Sequence, residues 1–128
     1  MCQLDTGKIQ VAEKYIKCWK VVRTDGLFAP GKSNLWNESK LTVYTKDRQL
    51  SCKEDFNKGN GFGVFLRERD ANRYCTNYGF PGSLRSKVIP CIIPKGGRFV
   101  NGKVSLGNFG CTLEITTTRT DKIKPKGD

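Results

Sequence analysis

Residues 59–93, GNGFGVFLRERDANRYCTNYGFPGSLRSKVIPCII, constrain the fold most, because a strand, a helix and a second strand follow one another there with clear boundary signals. Gly59, Gly61 and Gly63 bracket a short apolar run, Phe62, Val64, Phe65 and Leu66, of the kind that forms a buried strand. Ala71, Tyr74, Cys75 and Tyr78 then fall at i, i+3, i+4 and i+7 and so share one helical face. This spacing predicts one principal helix over about 66–78, ended by Gly79 and Pro81. Val88 to Ile93 is the most apolar run in the chain, rich in β-branched side chains that suit a pleated, buried surface.

Around this unit the chain reads as β-structure. The run from Tyr15 to Arg23, YIKCWKVVR, is a first strand, followed by a turn at Asp25-Gly26 and a loop whose one large anchor is Trp36. Residues 41–45 alternate as a half-buried strand, and 46–60 read as a surface loop in which Leu50 and Cys52 pair briefly with a neighbour. Asn101-Gly102, flanked by Arg98-Phe99-Val100 and Lys103-Val104-Ser105, predicts a hairpin, since an Asn-Gly pair holds positive φ at both turn positions. Residues 109–118 are the last strand. The expected organisation is an N-terminal arm at 1–13, loose or briefly helical, one domain at 14–118, and a mobile basic tail at 119–128. The expected fold class is α+β, with a mostly antiparallel, curved sheet and one principal helix.

Charge is the compositional anomaly: 23 Lys and Arg oppose 12 Asp and Glu, a formal net charge of +11 with no histidine. Such an excess concentrates anions, so the partners to consider are nucleic acid, nucleotides, an anionic membrane or an acidic protein. A length of 128 residues is enough for one domain with its own core. The N-terminus lacks the continuous apolar core of a signal peptide, and no run is long enough to span a bilayer, which reads as a cytoplasmic protein. Cysteines at 2, 18, 52, 75, 91 and 111 would suit three disulfides in a secreted chain. Their irregular spacing, the absence of CxxC, and the position of Cys18 and Cys91 inside apolar runs favour reduced, buried thiols instead.

Without histidine, Ser-His, Cys-His and histidine-zinc mechanisms have no basis, and no cofactor is expected. GNGFG lacks both the GxxxxGK[ST] of a P-loop and the context of GxGxxG, so turn and bulge glycines account for it. Arg67 and Arg73 on the expected helix are either a solvated face or, with Arg85 and Lys87, part of a basic patch. Lys20, Arg23, Arg67, Arg73, Arg85 and Lys87 are the candidate phosphate contacts, with Trp36 and Tyr74 for stacking. Trp19, inside its strand, is assigned to the core. No zinc finger, recognition helix or RNP-type aromatic signature is present.

Cys18-Trp19-Lys20-Val21-Val22-Arg23 followed by Asp25-Gly26, and Gly61-Phe62-Gly63-Val64-Phe65 followed by Asp70-Ala71 and Tyr74, resemble motifs of small uncharacterised proteins of bacteriophages and prophages. The similarity spans about residues 17–118, with Gly63 where those proteins carry a histidine. More distantly, the arrangement resembles the ADP-ribosyltransferase-type fold, in which Arg23 would match the first-strand arginine and Glu114 the last-strand glutamate. Thr112 stands where that family carries a second acid or glutamine. These resemblances imply a split β-sheet with a nucleotide-sized cleft, and a setting in the cytoplasm of an infected bacterium. The leading expectation is a non-enzymatic, phage-type accessory protein that binds a nucleotide-like ligand or nucleic acid, or else a host protein, and thereby blocks a host process such as defence. The alternatives are a minimal ADP-ribosyl-transferring enzyme using Arg23 and Glu114, and a secreted disulfide-bonded effector.

Overall fold

A computed structural model of the chain describes residues 3–23, 27–28, 42–43, 46–52, 55–78, 86–108 and 111–126. In chain order the strands are β1 (Leu4–Asp5), β2 (Gln10–Val11), β3 (Ile16–Arg23), β4 (Leu27–Phe28), β5 (Thr42–Val43), β6 (Leu50–Ser51) and β7 (Phe62–Val64). The helix α1 (Glu68–Tyr78) follows, then β8 (Ser86–Ile93), β9 (Arg98–Asn108), β10 (Cys111–Thr120) and β11 (Lys122–Pro125). Among the described residues nine strands form two antiparallel sheets: β1-β9-β10-β7, with β2 also on β9, and β3-β8-β11-β6. β4 and β5 pair separately. The protein is a single small α+β domain, as its periodicities require.

The two sheets meet at two places. Just past β7, Phe65 exchanges a pair of 2.8 Å backbone hydrogen bonds with Trp19 of β3, so the first sheet continues into the second. At the other end β10 turns into β11 at Asp121, whose carboxylate accepts from the Arg98 backbone N–H at 2.8 Å and from Arg98 Nε at 2.9 Å. Strand alternation then makes two cores. Cys18 and Val22 of β3 face inward with Ile89, Cys91 and Ile93 of β8, and meet Phe62, Val64, Phe99 and Ile123. Val21 faces the opposite way and packs with Phe65, Val104 and Ile115 beneath Ala71 and Tyr74 of α1. Ala71 and Tyr74 are fully buried, as the helical spacing predicts. The Val, Ile and Phe side chains of these cores contribute about 1.5–3 kcal/mol each on full burial.

Three sequence expectations are corrected. Asn101-Gly102 does not turn: β9 runs straight through it to Asn108, which pairs with Cys111 of β10. Gly102 is required for close approach instead, because a Cβ there would collide with the Leu4 carbonyl oxygen and come within 2.7 Å of the Gln3 side chain. Residues 3–13 are neither a loose arm nor a helix. They carry β1 and β2 along β9, and the buried Gln3 side chain donates to the Val100 carbonyl at 3.1 Å and accepts from Thr117 Oγ1 at 2.7 Å. Residues 119–125 are not a mobile tail. Arg119 and Thr120 complete β10, and β11 inserts between β8 and β6 with Ile123 fully buried. The brief pairing expected near Leu50 is β6, where Leu50 registers with Ile123. The Asp25-Gly26 turn, the helix stop at Gly79 and Pro81, and the loop carrying Trp36 lie outside the described residues.

Candidate functional site: a groove on the second sheet

The register of three strands builds a mixed apolar and cationic surface. Lys17 of β3 pairs with Ile92 of β8, which pairs in turn with Lys124 of β11. One step along, Trp19 pairs with Pro90, whose carbonyl accepts from the Lys126 backbone N–H at 2.9 Å. Neighbouring strands lie about 4.8 Å apart, so each row sets a lysine roughly 10 Å from its opposite member across an apolar floor. α1 packs over Val21 and Val88 and reaches only as far as Trp19. Among the described residues nothing covers the sheet beyond it, leaving a groove of about 630 Å³ lined by Tyr15, Lys17, Trp19, Pro90, Ile92 and Lys126, with Cys18 and Cys91 at its base. That volume falls within the range of small-ligand sites, about 300–1,000 Å³.

Local chemistry explains why the floor holds a proline. The Trp19 N–H and C=O both point at Phe65, so the Trp19–Pro90 pair is one that exchanges no ladder hydrogen bonds, and the missing proline N–H costs that pairing nothing. By the same alternation Cys18 and Cys91 form a hydrogen-bonded pair. Such pairs hold their Cβ atoms near the upper end of about 4.5–5.5 Å, wider than the roughly 3.5–4.5 Å of a disulfide. Both are free thiols, and burial pushes the Cys91 thiol up to about 12 and Cys18 well above its usual value.

At the β11 end of the groove, Lys126 Nζ lies 2.9 Å from Asp47 Oδ1 in an exposed ion pair. Asp47 is held by its own backbone, which donates to the Pro125 carbonyl at 2.8 Å and adopts a left-handed φ of 63°. The hydrogen bond from Lys126, followed by the charges of Lys126, Lys46 and Lys124, holds its carboxyl below the usual aspartate value. Lys17, on the opposite wall, is exposed and has no ion-pair partner among the described residues.

The sequence-derived candidates are scattered. Lys20 is fully buried, with Nζ donating to the Gly63 carbonyl at 2.8 Å, so it links β3 to β7 and offers no surface contact. Burial pushes its ammonium down to about 8. Tyr74 is fully buried, its ring 5.5 Å from that of Phe65, and is closed to stacking. Arg67 and Arg73 are exposed on and just before α1. Arg23 ends β3 and Lys87 pairs with Val22, but their side chains, like Arg85 and Trp36 as a whole, lie outside the described residues. Glu114 is exposed on β10 and faces Lys103 at 3.6 Å. The residues that do converge are Tyr15, Lys17, Trp19 and Lys126, with Lys124 in register beside Ile92. Their signal was the alternation of KIKPK at 122–126, which is a strand pattern in a stretch that composition assigns to a tail.

One further basic residue is structural. Arg119, a buried side chain, places Nη2 2.8 Å from Asp5 Oδ2, donates from Nη1 to the Phe56 and Asn60 carbonyls at 2.6 and 2.9 Å, and lies 4.3 Å above the Phe56 ring. Among the described residues no group of His, Cys, Asp and Glu could hold a metal ion, and no helix is long and apolar enough to cross a membrane. No protein family, curated protein or solved structure matches the chain.

Proposed function

We propose that this protein is a small, basic, non-enzymatic accessory protein of the bacteriophage type that binds a nucleotide-like anion in the groove beside α1. The observation that carries this reading is the groove itself: Tyr15 and Trp19 offer aromatic surface for a base, Pro90 and Ile92 an apolar floor, and Lys17 and Lys126 a cation on each wall. Stacking on an aromatic ring contributes about 1–3 kcal/mol per base and is tolerant of base identity. The net charge of +11 adds a long-range attraction for any such anion. A groove of about 630 Å³ suits a mononucleotide better than a polymer track. The phage setting and interference with host defence rest on the motif resemblance.

Calorimetric titration with ADP tests the reading. The parent protein should show one saturable site, and Tyr15→Ala and Lys17→Ala, both at exposed positions, should each weaken it about tenfold through loss of one stacking or charged contact. Absence of saturable binding in the parent, or unchanged affinity in both variants, contradicts it.

A further inference from the structure

Asp47 stands where a ligand's anionic group would be expected. It is an exposed carboxylate 2.9 Å from Nζ of Lys126, and the charges of Lys46 and Lys124 also act on it. Two of those lysines belong to the rows that wall the groove: Lys124 lies across Ile92 from Lys17, and Lys126 lines the groove itself. The carboxylate is positioned by backbone, through the bond from its own N–H to Pro125 and through a left-handed turn. Exposed ion pairs of this kind exchange readily, because solvent screens them and two flexible side chains must be ordered to make them. A phosphate carries more charge and more acceptor oxygens than a carboxylate, so it competes effectively for the same lysines.

We infer that Asp47 is an internal stand-in for the phosphate of the ligand, paired with Lys126 in the free protein and displaced when a phosphate-bearing ligand enters. This rests on the groove being the ligand site, and it adds that the protein restrains its own affinity. Lys126 is thereby already paired before any ligand arrives, and a ligand must displace the carboxylate to use it.

Inorganic phosphate is the probe, read by the backbone amide signals of isotopically labelled protein. Asp47→Asn keeps the turn, since asparagine tolerates the left-handed conformation as aspartate does. Glu68→Gln, at the exposed start of α1, removes the same unit of charge elsewhere and serves as control. The expected result is saturable shifts at Lys46, Lys124 and Lys126, with Asp47→Asn binding phosphate about two- to fivefold tighter than the parent and Glu68→Gln matching the parent. The inference is overturned if Asp47→Asn binds no tighter than Glu68→Gln, or shows no saturable shift at these lysines. Its failure is separable from failure of the nucleotide reading. ADP binding that depends on Tyr15 and Lys17 but ignores Asp47 sinks only the stand-in, whereas tighter phosphate binding in Asp47→Asn without any ADP site sinks only the nucleotide.

Discussion

Lys20 places an ammonium in the middle of the inner core, beside the Cys18 and Cys91 thiols and bonded to the Gly63 carbonyl. Its folded-state value is about 8 against an ordinary 10.5, because burial penalises the charged form. The unfolded chain therefore binds more protons than the folded one between those values, and stability from this group rises with pH across that window. A displacement of this size is equivalent to about 3 kcal/mol. The thiols act oppositely: raised in the fold above their usual 9.0, they stabilise below that pH and lose that contribution above it, as the unfolded thiols ionise. Urea unfolding should accordingly show stability rising from pH 8 to near 9 and then falling. Lys20→Met should abolish the rise, and Cys18→Ala with Cys91→Ala should extend it toward 10.5; a parent curve flat between pH 8 and 9 contradicts this assignment. Arg119→Met should destabilise by about 2–4 kcal/mol, since it orphans buried carbonyls and releases Asp5, checked by the same unfolding measurement. Neither role was legible in sequence. In β3 both faces are apolar, Cys18 and Val22 inward and Trp19 and Val21 outward, so nothing marks Lys20 as interior.

Elements divide by how much of their own apolarity they carry. α1, β3 and β8 bury long, periodic sets of their own side chains, and their spacing revealed them. β1, β2 and β6 are two residues each, and are held by pairing with β9 or β11, so no pattern of their own announces them. The Asn101-Gly102 pair shows how a local turn signal loses to tertiary packing. Its glycine serves the approach of β1, and its asparagine accepts from Thr118 Oγ1 at 2.8 Å. Gly102→Ala should cost about 1–3 kcal/mol through overpacking and should speed hydrogen exchange at Thr6 and Gly7, whose amides bond to the Asn101 carbonyl. Unchanged exchange there would contradict the role given to Gly102. Deleting residues 119–128 should abolish cooperative unfolding, because it removes Arg119, the Ile123 side chain and the strand between β8 and β6. A tail would be dispensable, and an unchanged melting transition would restore that reading.

At the scale of the whole molecule, the sequence supports the proposal of an anionic partner but carries no sign of the place proposed for its binding. An excess of 11 positive charges points to an anion wherever the charges sit. The groove depends on register: β3 sets Lys17 and Trp19 against Ile92 and Pro90 of β8, and β11 brings Lys126, more than a hundred residues from Lys17, to the Pro90 carbonyl. Basic charge alone also yields nonspecific nucleic-acid binding, with Kd values of roughly 10⁻⁴ to 10⁻⁶ M at physiological salt, so retention on DNA does not discriminate. Mapping the bound ligand does. In an ADP titration followed by backbone amide resonances, saturable shifts should cluster at Tyr15–Trp19, Cys91–Ile92, Lys124 and Lys126. Shifts confined to the exposed arginines of α1, or no saturable shift anywhere, would contradict the groove as the binding site.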